Sequence, residues 1–308
     1  MSKTLKIWLF TDGKTGHEKQ SRAFLEMLGK KYSIREQFID ASNVGWTRSF
    51  LGFLGVKLPI TISIEKPDII IGTGHGTHLP MLAARRIHQG KVVVIMKPSL
   101  PLQLFDLCII PMHDKPPSRD NVVITNGPIS TIKYSKEQDE RLGLIMLGGP
   151  SKHFSWSNEK VLFQILEIIM DSSNRDLQWD LTTSRRTPPS IIEKLRSESP
   201  ANLSLHSFEE TPPGWIEKKL LSHGQVWVTQ DSFSMVHEAV QSGAKVGLLE
   251  LPANRISSFT HRHKFKRENI EPAVSFSEWQ KLKTLKPSTR DKIKEDDICA
   301  QSMSILSI

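Results

Sequence analysis

Apolar residues in this chain gather in short continuous blocks, and between the blocks the spacing becomes helical. Residues 6–11 (KIWLFT), 66–71 (KPDIII), 91–96 (KVVVIM), 107–110 (LCII) and 122–125 (VVIT) read as strands of a first half. Residues 142–147, 179–183 (WDLTT), 203–205 and 226–229 (VWVT) read as strands of a second. Apolar runs of this length, bounded by glycine, proline and polar clusters, suit strands covered on both faces. Residues 18–29, the stretch LPMLAARRIHQG, the segment carrying Val161, Leu162, Ile165, Leu166 and Ile169, and residues 215–221 read as helices. Strand, turn and helix in repeated succession predict an α/β protein built from doubly wound units.

The clearest unit is 226–249, VWVTQDSFSMVHEAVQSGAKVGLL, which predicts strand, polar turn, amphipathic helix and a second strand. Gln230, Asp231 and Ser232 suit a turn that caps a helix, and Gly243 supplies its stop. On a helix over 232–242, Ser234 and Glu238 share one side, while Met235, Val236, Ala239 and Val240 share the other. Backbone N–H groups at such a helix start favour a phosphate, and a carboxylate one turn later can accept both hydroxyls of a ribose. An ordinary surface helix carries the same pattern.

At 308 residues the chain has room for two domains. The polar stretch 130–141 (STIKYSKEQDER) comes before a new strand, which predicts domains at 1–138 and 139–308, with a weak final helix free to pack back on the first. The net charge of +8 is uneven: Lys+Arg exceed Asp+Glu by 19 to 11 over 1–138, and the two are equal at 22 over 139–308. An anionic partner is therefore expected for the first half. No helix-turn-helix, zinc-finger or RNP pattern supports nucleic acid, which leaves an anionic membrane surface or a merely solvated basic face. Residues 44–60 (VGWTRSFLGFLGVKLPI) mix aromatic, aliphatic and basic groups, as a segment lying at a lipid interface does, or one that completes a core. No apolar run approaches the roughly 20 residues that span a bilayer, and the apolar start is too short for a secretory signal. The expected location is cytoplasmic, peripheral on the inner face of the membrane. Cys108 and Cys299 show no metal-ligand spacing, and no metal site is expected.

Candidate chemistry lies in the loops that follow strands, where open α/β sheets bind ligands. After 6–11 come Asp12, Gly13, Lys14, Gly16 and His17, and after 66–71 come His75 and His78. The imidazoles suit proton transfer near neutral pH, so His75 and His78 compete with His17 for an acid or base role. His113–Asp114 reads as a loop contact rather than a metal pair. In the second half Gly148 and Gly149 permit close backbone approach, Lys152 adds charge, and Ser184, Arg185 and Arg186 read as a pyrophosphate clamp. With Asp231–Glu238 these loops contain the parts of a nucleoside-diphosphate site.

The motifs DGKTGHEKQ at 12–20, HD at 113–114, GGPSK at 148–152, TTSRRTP at 182–188 and VTQDSFSMVHEA at 228–239 resemble, in order and spacing, the mitochondrial fission ELM family, across nearly the whole chain. Bacterial members of that family are regarded as glycosyltransferases, and the family is similar in turn to GT-B enzymes, with two Rossmann-like domains facing across a cleft. The resemblance implies a nucleotide-sugar on the second domain as co-substrate, no other cofactor, and a lipid-linked or membrane-associated glycan acceptor on the first. It places Glu238 at the ribose, Ser232, Ser234 and Met235 near the phosphates, and Lys152, Arg185 and Arg186 at the leaving diphosphate. The first loop is similar to that of the lipid-linked N-acetylglucosaminyl transferase of peptidoglycan synthesis, which makes His17 or Asp12 the base. A nucleotide-sugar epimerase of the same fold, and a non-catalytic organiser at a membrane surface, are the alternatives.

Overall fold

The computed structural model describes residues 4–43, 66–198, 200–254, 273–285 and 295–308. The expected interfacial segment at 44–60 lies outside the described residues. The chain divides into two compact units, Met1–Thr131 with Asp291–Ile308, and Ile132–Arg290. The division falls inside the polar stretch 130–141.

The first unit holds a six-stranded parallel sheet in the order β2-β1-β3-β4-β5-β6. Its strands are β1 (Thr4–Thr11), β2 (Ser33–Asp40), β3 (Ile69–Thr73), β4 (Lys91–Ile95), β5 (Leu107–Pro111) and β6 (Val122–Thr125). Helices α1 (Thr15–Gly29) and α2 (His75–His88) follow β1 and β3. Strand β3 is buried at every position, which is why it reads as a continuous apolar run. Strand β2 was not legible in the sequence: SIREQFID pairs only with β1 at the sheet edge and keeps most of its side chains partly or fully exposed. Two apolar layers cover the sheet. Leu5, Ile7 and Leu9 face Phe24 and Leu28 of α1, whereas Trp8 and Phe10 face Met81 and Ala84 of α2. The final helix, Glu295–Leu306, belongs to this unit and buries Ile298, Cys299, Met303 and Leu306 in the α1 layer.

The second unit holds β7 (Asp139–Met146), β8 (Gln178–Thr182), β9 (Leu203–His206), β10 (His223–Thr229), β11 (Lys245–Leu249) and β12 (Ala273–Ser275). They form a parallel sheet in the order β12-β11-β10-β7-β8-β9. Helices α3 (Asn158–Met170), α4 (Pro189–Ser197), α5 (Trp215–Ser222) and α6 (Phe233–Ser242) cover it. Ser157 caps α3 by accepting from Lys160 N at 3.3 Å, and Gly243 ends α6 at φ +92°, a left-handed value that favours glycine. Val236, Ala239 and Val240 form the buried face of α6, and Met235 is only half-buried.

Two tryptophans shape this sheet. Trp179 pairs with Gly143 of β7, and Trp227 pairs with Gly247 of β11. A Cβ at either glycine would run into the indole of its partner, so each ring lies where a neighbouring side chain would otherwise stand. On the opposite face Asp180 ties α5 to the sheet. Its carboxylate meets His206 Nε2 at 2.7 Å, His223 Nε2 at 2.9 Å and the Lys219 ammonium. Burial opposes the charge on Asp180, but hydrogen bonds from His223, Lys219 and His206 outweigh it and hold the carboxyl well below the usual range.

Candidate active site

At the carboxyl edge of the first sheet, β1 gives way to Asp12 and then to Gly13 at φ +74°, and α1 starts within the next turn. Thr11 Oγ1 accepts from Gly13 N at 3.1 Å and donates to Glu18 Oε1 at 2.5 Å, which fixes the strand-to-helix bend. His17, on the first turn of α1, points back to Asp12. Its Nδ1 lies 3.0 and 2.9 Å from the two carboxylate oxygens. The Asp12 side chain is 9% exposed and that of His17 is 22% exposed. A carboxylate there selects the tautomer with hydrogen on Nδ1 and leaves the lone pair on Nε2.

The loop after β3 builds the other wall. Gly74 adopts φ +91°, and a Cβ on it would collide with the His17 ring; a Cβ on Gly76 would lie 3.0 Å from Asp12 Cβ. These two glycines were missed as site residues from sequence, because what they accommodate belongs to another loop. Asp12, Lys14 and His17 are thus brought together, with Lys14 Nζ 3.6 Å from Asp12 Oδ2. Gly16 lies exposed in the first turn of α1. His75 is exposed, and its ring makes an edge contact with His78 at 5.6 Å.

His78 does not share the surface with them. It is buried against Phe105, with Ser99 Oγ 3.4 Å from its Nδ1. Burial, followed by the nearby His75 and His17, lowers its pKa to about 4 against the opposing pull of Asp12. It is therefore neutral in the folded protein near pH 7. Asp114 contributes its backbone carbonyl to Lys97 Nζ at 2.9 Å.

At the carboxyl edge of the second sheet three loops share one hydrogen-bond network. Gly148 N donates to Thr229 Oγ1 at 2.7 Å, and Gly149 N donates to Asp231 Oδ2 at 3.0 Å. Ser184 Oγ and Thr187 Oγ1 both donate to the Gly148 carbonyl, at 3.0 and 2.5 Å. Arg186 completes the network through Nη1 to the carbonyls of Gly149 and Pro150, at 3.0 and 3.1 Å, and through Nη2 to Asp231 Oδ2 at 2.7 Å. Glycine is required at both 148 and 149, because a Cβ would enter the Asp231 carboxylate at one and the Arg186 backbone at the other.

The Asp231 carboxylate is fully buried, and its Oδ1 has no hydrogen-bond partner among the described residues. Its charge is compensated by Arg186 and the Gly149 amide. The expected pair of clamp arginines therefore divides. Arg186 frames the loops, whereas Arg185 lies over the Phe208 ring at 4.9 Å and makes no hydrogen bond among the described residues. Phe208 is held in turn by its own N–H, which donates to Thr183 Oγ1 at 2.9 Å. Lys152 is exposed, and its backbone carbonyl accepts from Asn254 Nδ2 at 3.1 Å.

Helix α6 starts beside this network. Ser232, at its N-cap, makes no side-chain cap, and the N–H groups of Ser234 and Met235 have no acceptor among the described residues. Glu238 is half-buried one turn further on. Thr187 lies in the loop read as the arginine clamp, as one of its two flanking hydroxyls; Thr229 and Phe208 were missed as site residues, because nothing local marked them.

Solved structures with this architecture include the UDP-GlcNAc 2-epimerase of Methanocaldococcus jannaschii in complex with UDP-GlcNAc and UDP. It matches at a TM-score of 0.56 and 11% identity, over 98% of both chains. UGT89C1 of Arabidopsis thaliana, complexed with UDP, matches at 0.54 and 11% identity, over 99% of this chain and 98% of that one. Two six-stranded parallel sheets with flanking helices give this chain the GT-B-type α/β fold that glycosyltransferases and nucleotide-sugar epimerases share. An uncharacterized protein of Rickettsia prowazekii, RP120, is 24% identical over 84% of this chain and 86% of its own length. The sequence profile described as Mitochondrial fission ELM1 matches residues 15–304, and the chain belongs to that family.

Proposed function

We propose that this protein is a glycosyltransferase that moves a sugar from a nucleoside-diphosphate donor to a cell-envelope glycolipid or lipopolysaccharide-type acceptor at the inner face of the membrane. The observation that carries this reading is the Asp12–His17 pair, an imidazole oriented by a carboxylate at the ligand-binding edge of a sheet. His17 Nε2 takes the acceptor hydroxyl proton as that oxygen attacks C1 of the donor sugar. The bond from C1 to the diphosphate breaks, and its electron pair leaves with the nucleoside diphosphate.

The second unit answers the charge that develops on the leaving group. In this reading Arg185, Lys152 and the N–H groups of Ser234 and Met235 meet phosphate oxygens, and Glu238, one turn further along α6, accepts ribose hydroxyls. Cations and a helix N-terminus aimed at the diphosphate need no divalent ion to stabilise it, so the transfer is metal-independent. The basic surplus of residues 1–138 favours an anionic membrane as the place where the acceptor is met.

The test is to incubate the protein with a panel of nucleotide-sugars, with and without envelope glycolipid, and to follow both sugar and nucleotide. Transfer and nucleotide release that require the glycolipid support the reading. A changed sugar without acceptor makes the protein an epimerase, and liposome binding without nucleotide binding makes it an organiser. Activity lost with EDTA and restored by manganese would overturn the metal-free mechanism.

A further inference from the structure

The second unit has a cavity of about 280 Å³ at the amino edge of its sheet, the edge opposite the Gly148, Arg186 and Asp231 loops. Along β10 the two places are separated by Gln225 to Thr229, roughly 13 Å of strand. The cavity is therefore distinct from the candidate donor site. It is also smaller than the roughly 300–1,000 Å³ typical of pockets for drug-sized ligands, so its size suits one ring and not a nucleotide-sugar.

The lining narrows the chemistry further. Leu177, Leu282 and the Trp279 indole give an apolar wall with a flat aromatic component. Facing solvent are Glu140 and Lys245, which pair at 3.0 Å, so the pocket calls for no net ligand charge. Lys245 nonetheless keeps further N–H donors, and Glu140 keeps further acceptor lone pairs. Gln225 also lines the cavity, and its side-chain amide makes no hydrogen bond among the described residues, leaving a donor and an acceptor together. An uncharged ring with an apolar face and a hydroxylated rim matches all three features.

We infer that this cavity is a second binding site, separate from the candidate transfer site, for the ring of a neutral saccharide. The inference does not depend on glycosyl transfer, because none of the loops assigned to that reaction contributes to the cavity.

The experiment is saturation-transfer NMR on the full chain with the methyl glycosides of glucose, galactose, mannose and N-acetylglucosamine, recorded with and without excess UDP. Ser173, exposed on the rim, is changed to Trp to block the mouth, and Gln225→Leu removes the free amide without emptying the core. At least one glycoside is expected to receive saturation whether or not UDP is present. Both variants should reduce that signal at least fivefold while keeping the wild-type melting temperature. Absence of a signal for all four sugars, displacement of the sugar by UDP, or an undiminished signal in Gln225→Leu would overturn the inference. Should Ser173→Trp fail to fold, Gln225→Leu and the UDP competition decide it alone.

Discussion

Each sheet ends in an acidic side chain that meets a basic one, yet the two pairs do opposite things. In the first unit Asp12 holds His17 through one ring nitrogen and leaves the other for a proton. In the second unit Asp231 is fully buried, and Arg186 directs its donors to Asp231 and to two backbone carbonyls. The first pair leaves a ring nitrogen open, as the proposed proton transfer requires, whereas the second holds three loops in register. The difference follows from the partner's chemistry. Imidazole titrates near neutral pH, whereas guanidinium keeps its proton and supplies a planar fork that can bridge several acceptors at once. An acid–base pair beside a strand end is therefore not by itself a catalytic signature.

The largest effect is expected from breaking the first pair. His17→Ala should reduce turnover by about 10²–10⁴-fold, the usual contribution of a positioned general base, with nucleotide affinity nearly unchanged. Steady-state kinetics alongside calorimetry with UDP and GDP would check it, and a matching fall in affinity would count against a role limited to proton transfer. Gly74→Ala should approach the same loss without substituting either member of the pair. The new Cβ would displace the His17 ring, and the positive φ is itself strained in alanine.

Breaking the second pair should act on stability first. Asp231→Ala leaves the Gly149 amide and Arg186 without their carboxylate, which we expect to lower unfolding stability by roughly 2–3 kcal/mol. This figure is discounted from that of a wholly buried pair, because the Arg186 side chain is 44% exposed and solvent screens it. Urea unfolding measures the loss, and wild-type stability in the variant would show that the three loops do not depend on Asp231. An effect on ligand binding is expected for Glu238→Ala, about 1–3 kcal/mol in nucleotide affinity through a lost charged hydrogen bond. Equal affinity in wild type and variant would remove Glu238 from the donor site.

The gentlest perturbation is pH. His78 titrates near 4 when folded and near 6.5 in its ordinary state, so the unfolded chain binds more protons between those values. Stability of the first unit should thus be constant with respect to this group above about pH 6.5 and fall by a few kcal/mol as pH drops toward 4. His78→Leu should flatten that slope. In the second unit Asp180 acts in the same direction at lower pH. Its depressed carboxyl contributes stability that is present above the ordinary carboxylate range and lost as acid protonates it. Chemical denaturation at stepped pH separates the two, because the His78 slope ends where the Asp180 slope starts.

Sequence alone determined the α/β alternation, because a strand buried on both faces must be apolar throughout and a covered helix must repeat its apolar residues with helical spacing. Both are local properties, and they located β3, β4, β10 and α6 to within a few residues. The same reasoning found Asp12, Ser184, Arg185, Arg186 and Asp231 as loop residues after strands, whereas His17, read as part of the first loop, lies on the first turn of α1; the motif resemblance pointed to the family. Strand β2 escaped because an edge strand alternates weakly and keeps polar residues. Only the tertiary structure decided which of the loop charges remain available. That Asp231 neutralises Arg186, that Gly74 makes room for His17, and that the final helix packs on the first sheet all depend on contacts between residues distant in the chain. Which basic partner each carboxylate meets, and how deeply the pair is buried, is set at those contacts and not by the local sequence around the carboxylate.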